Sequence, residues 1–454
     1  MNVVIIGAGE VGYHLARRLA GENKQVTLID NNPVAVRRVA ETIDAQAIRG
    51  SGSNPDLLKS AGIQSAEMLL AVTDSDEVNL TACLAADLLS PNTRKVARIR
   101  AAEFVPFHPA LQEQTPHISR VINPEIEVVK TIERLMSVPG AVDVGEFAEG
   151  QFTFIGVRLT AQAGLTGVKL SDISAVIEDA PPLIAAIVRR ETLIVPNGND
   201  RLEENDLIYF ISKNDSHAKT LAALNKQAHP VKRVMIIGGG RTGLRLAKTL
   251  EENGITVKII ESNPDRAITL AELLNHSVVL NGDGADQSLL LDENIESTDA
   301  LVALTGDEET NIIVAILAKR FGVPQNIVKV NKFNYFPLMS TIGIDQVVSP
   351  RLSAVNSILQ HIRQGKVLSA VSLQNEAAEV LEAEALETSE VVGRPLKNID
   401  FPKGALLIGI LHDGRAIIPS GDSVVYPGDH VVIFAQKEVV SGVEKLLTVT
   451  LDYI

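Results

Sequence analysis

Two rhythms of apolar residues alternate along the chain. Short apolar runs read as buried strands, and stretches with apolar residues three and four apart read as helices. "NVVII" from Asn2 predicts a first strand, Glu10 to Ala20 a helix, and "QVTLI" from Gln25 a second strand ending at Asp30. "NNPVAVRRVA" then reads as a helix, with asparagine as its cap and Pro33 in its first turn. "AEMLLAV" from Ala66 and "RKVARI" from Arg94 supply further buried strands. After "RVINPE" comes "IEVVKTIERLM", an amphipathic helix, with a match at "SAVNSILQHI" from Ser353. Such a helix packs within its own domain or on a neighbour, and periodicity leaves both open.

The pattern is a repeat. Gly7, Gly9, Gly12 and Asp30 return 231 positions later as Gly238, Gly240, Gly243 and Glu261. "GSGSNPDLLKSAGI" from Gly50 aligns with "GDGADQSLLLDENI" from Gly282 at a shift of 232. That shift also carries "AVTDSDEVNL" onto "ALTGDEETNI", placing Asn79 on Asn311, and it aligns Arg100 with Lys332. Farther on, "LTGVKLSDI" resembles "VVGRPLKNI", and "PNGNDRLEENDLIYFIS" resembles "PSGDSVVYPGDHVVIFA".

The order is therefore A–B–A′–B′, and the fold class is α/β. Two Rossmann-like parallel-sheet domains, 1–123 and 231–349, are each followed by a crossover helix, 124–139 and 350–367. A small α+β domain follows each helix, 140–226 and 368–454. In the small units "QFTFIGVRL" alternates, and "LIAAIVRRETLIVP" reads as a hairpin. The counterpart hairpin "ALLIGILHDGRAIIP" carries Asp413-Gly414, which favours a type I′ turn. Units of roughly seventy residues are small for independent stability, so they are expected to lean on A, on each other or on a sister chain. The acidic stretch "QNEAAEVLEAEALETSE" from Gln374 is expected to be exposed, or else helix leading into a strand.

Composition narrows the function. With no tryptophan and 4% aromatics there is no stacking platform for bases, and a net charge of −14 opposes binding to a nucleic-acid backbone. The single cysteine, Cys83, excludes an intrachain disulfide and a thiolate cluster, and the nine histidines form no metal-binding pair. The N-terminus enters a strand without a signal stretch, and no apolar run approaches the roughly 18 residues that span a bilayer. The chain is expected to be cytoplasmic, reaching a membrane only through a partner.

The first glycine-rich turn suits a dinucleotide. Gly7 makes the tight turn, Gly9 lets a pyrophosphate approach the backbone, and Gly12 permits close helix–strand packing. The amides of the turn and helix start, with Ala8, Glu10 and Val11, face the phosphate. Asp30 stands where an acid accepts from a ribose hydroxyl and repels a 2′-phosphate, favouring NAD(H) over NADP(H). The second copy repeats this with Gly238, Gly240, Arg241, Thr242, Gly243 and Glu261; Arg241 either adds charge near phosphates or is a solvated helix residue. Ser51 and Asp283 lie in loops after the third strands, Thr73, Asp74 and Thr305 in loops after the fourth. Ligand contact and turn or capping chemistry are both open for them. Arg98 and Arg100 end a strand on the same side, for a phosphate or for a surface ion pair. No catalytic set repeats: His14, nearest the first turn, corresponds to Arg245. A nucleotide sensor is the leading reading. An NAD-dependent oxidoreductase is the alternative, and small B units binding another effector, such as a cyclic dinucleotide, a third.

"IIGAGEVG", "GSGSNPDLLKSAGI" and "TDSDEVNL" resemble the RCK (KTN) family of modules that regulate potassium channels and transporters, and the resemblance covers essentially the whole chain. It implies a tandem RCK subunit with NAD(H), or alternatively ATP/ADP, bound around Gly7, Gly9, Gly12, Asp30, Thr73, Asp74 and Arg100, with Glu261 in the second pocket. It further implies a homo-oligomeric ring, a tetramer, on the cytoplasmic face of the inner membrane beneath a Trk-type potassium transporter. Thr73-Asp74 becomes Thr305-Gly306, removing a carboxylate from the second pocket.

Overall fold

The computed structural model describes residues 1–138, 140–178, 181–214, 216–226, 230–332, 335–362, 367–373 and 377–447. The ends assigned above to the crossover helices (139 and 363–366), the start of the acidic stretch (374–376) and the terminal residues 448–454 lie outside them.

The first nucleotide-type sheet contains β1 (Asn2–Ile6), β2 (Gln25–Asp30), β3 (Gln46–Arg49), β4 (Met68–Ala71), β5 (Arg94–Arg98) and β6 (Ile118–Ile122). All pair in parallel, in the order β3-β2-β1-β4-β5-β6. This is the doubly wound order, whose direction reverses between β1 and β4, the point where sheets of this kind bind ligands beyond the strands' carboxyl ends. Burial on both faces explains why these strands read as unbroken apolar runs: β4 is buried at every residue.

The first small sheet holds β7 (Ala141–Phe147), β8 (Phe152–Arg158), β9 (Leu183–Arg189), β10 (Thr192–Ile194) and β11 (Leu207–Lys213), in the antiparallel order β10-β9-β11-β8-β7. The second nucleotide-type sheet comprises β12 (Arg233–Ile237), β13 (Thr256–Glu261), β14 (Val278–Asn281), β15 (Ala300–Ala303), β16 (Gln325–Lys329) and β17 (Gln346–Val348). Its order, β14-β13-β12-β15-β16-β17, repeats the first sheet's. The last sheet is β18 (Val367–Leu373), β19 (Ala378–Glu384), β20 (Ala405–His412), β21 (Arg415–Ile417) and β22 (His430–Gln436). It runs β18-β19-β22-β20-β21, the first small sheet's order read from the other edge.

The chain separates into two compact units, Met1–Val128 with Pro350–His361, and Val129–Ser349 with Ile362–Ile454. The helix Pro350–Ile362 therefore packs with the first nucleotide sheet although it follows the second. Ala354, Val355, Ile358 and Leu359 form its buried stripe. In the other unit Glu133, on the helix Pro124–Ser137, accepts from Asn253 Nδ2 at 3.4 Å, just past the helix Arg241–Glu252. Both amphipathic helices thus serve a neighbouring half of the chain.

The two small sheets share one core. Phe147, Phe152, Phe154 and Tyr209 of the first pack with Val380, Ile408, Val432 and Phe434 of the second. The units lean on each other, and β8 is buried at six successive residues despite its alternating sequence. The acidic stretch is not exposed along its strand, and of its other alternative the described residues show the strand without a helix before it. Ala378–Glu384 is the strand β19, its first six residues buried, because its two faces meet two cores. Ala378 and Val380 face the shared core, while Leu381, Ala383 and Ala385 join the one capped by the helix Val440–Leu447. Glu382, on the face of Ala378 and Val380, is buried with its carboxylate 3.1 Å from His430 Nδ1. Both hairpins form: Asp413-Gly414 takes positive φ at both residues, and Arg190-Glu191 adopts the same left-handed turn without a glycine.

Candidate nucleotide sites

The first site is built where β1 ends. Gly7 has φ +106°, which an L side chain resists. A Cβ on Gly12 would lie 1.8 Å from Gly7 O, so the helix Glu10–Gly21 starts as close to the strand as backbone allows. At Gly9 a Cβ would meet nothing within 4 Å, which leaves open space against the helix amides. Val11 is buried behind the turn. Asp30, at the tip of β2, accepts from Ala8 N at 2.5 Å through Oδ2 and from Asn32 N at 2.7 Å through Oδ1. The acid is thus fixed beside the turn, with lone pairs to spare for a diol.

The loop after β4 closes the other side. A Cβ on Gly7 would stand 3.0 Å from Thr73 N. Thr73 donates N–H and Oγ1–H to Asn79 Oδ1, at 2.9 and 2.7 Å. Asn79, fully buried, gives its Nδ2 hydrogens to Thr73 O at 3.1 Å and to Arg98 O at 2.8 Å, tying this loop to β5. Asp74 accepts from Arg98 Nη1 at 3.0 Å through its carboxylate and from Arg100 Nη2 through its carbonyl. Burial pushes the Arg98 guanidinium below its ordinary pKa, against the pull of Asp74. Asp76 Oδ2 accepts from Arg100 N and Ala101 N at 2.9 and 2.8 Å. Ser51 bonds Ser53 Oγ at 2.8 Å, which is turn chemistry, while the adjacent Gly52 lies so close over β1 that a Cβ would be 1.9 Å from Ile6 Cγ2.

The second site repeats this frame. Gly238 has φ +102°, a Cβ on Gly243 would be 2.1 Å from Gly238 O, and Gly240 faces open space. Thr242 is buried in the first turn of the helix that Arg241 opens. Glu261 spans its longer reach to accept from Gly239 N at 2.8 Å and Asn263 N at 2.9 Å. Thr305 donates to Asn311 Oδ1 at 2.9 and 2.7 Å, and Asn311 reaches Lys329 O at 3.1 Å. Asp283 Oδ1 accepts from Ala285 N at 2.9 Å, again turn chemistry.

The alignment of Lys332 with Arg100 does not survive. Glu308, equivalent to Asp76, accepts from Asn331 N at 3.0 Å and Lys332 N at 3.3 Å. Asn331 therefore replaces Arg100, and Lys332 replaces Ala101. The physical cause is one residue lost from a helix: Asp76–Leu89 has become Glu308–Arg320. Strand pairing confirms it, since Met68 pairs Arg94 where Ala300 pairs Gln325. Lys332 binds Glu309 at 3.1 Å instead.

Several site residues escaped the sequence reading. Asn79 and Asn311 were visible only as a repeated residue, with no role attached. Arg38 bonds Glu10 Oε1 at 2.8 Å, and Arg266 Nε donates to Gly239 O at 2.8 Å. Neither arginine has a counterpart in the other copy: Thr269 stands for Arg38 and Ala35 for Arg266. A search for repeats cannot find them.

Comparison with known proteins now bears on this geometry. The TrkA-N domain model matches residues 3–124 and 234–350, and the TrkA-C domain model 380–448. A Trk system potassium uptake protein TrkA from Azorhizobium caulinodans is 38% identical over 457 residues, covering 100% of both chains. The GsuK RCK domain has a TM-score of 0.59 at 15% identity, covering 98% of this chain and 94% of that one. The GsuK channel bound to NAD also reaches 0.59, at 16% identity, over 98% of this chain and 78% of that one. The last two show a shared fold. The full-length identity and the repeated domain matches show descent: this chain belongs to the family of Trk system potassium uptake proteins TrkA.

Proposed function

We propose that the chain is a regulatory subunit that binds NAD(H) or an adenine nucleotide in each half and gates potassium uptake by a membrane transporter of the Trk type. The observation that carries the ligand is the carboxylate of Asp30, held at 2.5 Å from Ala8 N beside an open glycine turn. An acid fixed there accepts from a ribose and disfavours a 2′-phosphate. Gly7, Ala8, Gly9, Glu10, Val11, Gly12, Ser51, Thr73, Asp74 and Arg100 surround the first ligand. Gly238, Gly240, Arg241, Thr242, Gly243, Glu261, Asp283 and Thr305 surround the second. A channel of the same fold carries NAD, which supports this ligand class.

The family is one of potassium-uptake proteins, so the oxidoreductase alternative is set aside and the chain is not an enzyme. Among the described residues no helix is long and apolar enough to cross a membrane. The reading therefore places the chain on the cytoplasmic face of the inner membrane as a homo-oligomeric ring, a tetramer, held there by its transporter. Gating requires that the nucleotide bind two shapes of the ring with different affinity. Co-purification of the tagged chain from a membrane extract tests the partner, and calorimetry with NADH tests the ligand. Recovery of a multi-spanning potassium transporter, together with an Asp30→Ala variant that loses NADH affinity, is the expected result. Unchanged affinity in that variant overturns the site.

A further inference from the structure

The helix Pro264–Leu273 begins just after the acid of the second pocket, and its third residue is Arg266. Arg266 Nε donates to Gly239 O at 2.8 Å, while Glu261 Oε2 accepts from Gly239 N at 2.8 Å. One residue of the glycine turn is thus gripped twice, by the acid through its amide and by the arginine through its carbonyl. That bond fixes the half-buried guanidinium at the turn and uses one of its five N–H donors. The two terminal nitrogens of Arg266 have no hydrogen-bond or ion-pair partner among the described residues.

The first half also sends an arginine from the corresponding helix, Pro33–Thr42, but to another place and with its face covered. Arg38 lies one turn farther along, its Nη1 donates to Glu10 Oε1 at 2.8 Å, and its guanidinium lies 3.8 Å from the centre of the Tyr13 ring. The chain's own aromatic ring fills that cation's face. In the second half Leu244 replaces Tyr13 and Thr269 replaces Arg38, while Ala35 holds the position of Arg266 in the first. Among the described residues no aromatic ring lies over Arg266. A flat cation is therefore held at the rim of the second pocket with no ring against it.

A ribose accepted by Glu261 sends the rest of a nucleotide in two directions. Its phosphates lead to the open turn at Gly240 and the start of the helix Arg241–Glu252. Its base leads the other way, toward the loop after β13 and the start of the helix Pro264–Leu273. A 2′-phosphate is not the group that the arginine awaits. Glu261 occupies both nearby amides, Gly239 N at 2.8 Å and Asn263 N at 2.9 Å, and its charge repels such a group.

We propose that Arg266 is the base-binding residue of the second pocket, its guanidinium stacking on the adenine of the bound nucleotide. The inference rests on the nucleotide reading above and names which part of the ligand this site reads. A guanidinium is planar, weakly hydrated and attracted to aromatic faces, and bases stack on it readily. Adenine supplies to Arg266 the ring that Tyr13 supplies to Arg38. The second pocket then draws affinity from the base itself, so it accepts ADP as well as NADH. The first pocket has only the methyl group of Ala35 at that position and makes no such stack through it.

The test uses the full chain, with Asp30→Ala silencing the first pocket. In calorimetry Arg266→Ala should weaken ADP binding about fivefold, and adenosine, followed by competition, should lose the same factor. Etheno-ADP, a fluorescent adenine analogue, should be shielded from acrylamide when bound to the parent and quenched more readily when bound to Arg266→Ala. An ADP affinity equal to the parent's overturns the proposal. So does a loss confined to ADP, since the arginine would then serve the phosphates. Equal losses with unchanged quenching also overturn it, because the arginine would then only brace the turn. If the Asp30→Ala chain binds no ADP while the unsubstituted chain binds either nucleotide, this inference alone falls. If neither ADP nor NADH binds the unsubstituted chain, the nucleotide reading falls with it.

Discussion

The two candidate nucleotide sites share a skeleton and differ in their charged rim. Gly7, Gly12, Asn79 and Asp76 are matched by Gly238, Gly243, Asn311 and Glu308, with hydrogen bonds that agree to within a few tenths of an ångström. Around that skeleton Glu10, Arg38, Asp74 and Arg100 have become Arg241, Thr269, Gly306 and Asn331. Backbone positions and buried amides are constrained by close packing, where a single methyl group has no room. Rim charges stand in water and can change without cost to the fold. The two copies have therefore kept the shape of the turn while the charges around it diverged.

The sharpest way to break the likeness is at the glycines. Gly12→Ala and Gly243→Ala place a Cβ about where an oxygen already lies, at 1.8 and 2.1 Å. Each should cost about 3 kcal/mol and abolish binding in its own pocket, as read by thermal unfolding and calorimetry. If Gly243→Ala is silent in both measurements, the second pocket is not built as the first. Next come the buried amides. Asn79→Ala and Asn311→Ala each strip a fully buried side chain of its bonds and should destabilise by about 2 kcal/mol, nearly equally, in denaturant titration. A large inequality would show that only one of the two β4-type loops depends on its asparagine.

The acids sharpen the comparison further. Asp30→Asn and Glu261→Gln are expected to lower NADH affinity about tenfold each at their own sites. An effect at one site only would mark the other as taking a different ligand.

The smallest expected effect lies in the small domains. Asp206 holds Arg189 through two bonds of 2.9 and 2.8 Å, whereas the equivalent Asp429 holds His412 Nδ1 at 2.6 Å. The bond and charge of Asp429, helped by Asp413 and opposed by burial and Arg415, raise the His412 pKa, with the Tyr426 ring beside it. Since the folded value lies above the unfolded one of about 6.5, this pair stabilises fully below that pH. The contribution is lost as pH rises through the folded value. His412→Arg should remove this part of the pH dependence of the unfolding midpoint, and Arg189→His should introduce one in the first domain. A midpoint profile that His412→Arg leaves unchanged between about pH 6 and pH 8.5 would rule the pair out as its source.

Much of the site was legible because its determinants are local. A strand, three glycines and an acid some eighteen residues on define a turn by steric rules that operate over a few residues. The rim was not legible. Arg38 reaches Glu10 across 28 positions by side-chain packing on Tyr13, and nothing in the spacing of either helix announces it. The position equivalent to Arg100 was misjudged because one helix is a residue shorter, and repeats carry no mark of where a deletion falls. β19 was misjudged for a different reason: its glutamates suggested water, but Glu382 has a histidine partner inside the fold.

By itself the sequence determined the fourfold A–B–A′–B′ order, the parallel sheets and the glycine turns, because local periodicity and sterics suffice for those. Only the tertiary structure decided which half each crossover helix serves and what covers the small sheets. An apolar stripe such as Ala354, Val355, Ile358 and Leu359 states that a face must be buried, but many surfaces satisfy it equally in free energy. The partner is selected by shape and by the reach of the chain, and both exist only once the other elements have folded.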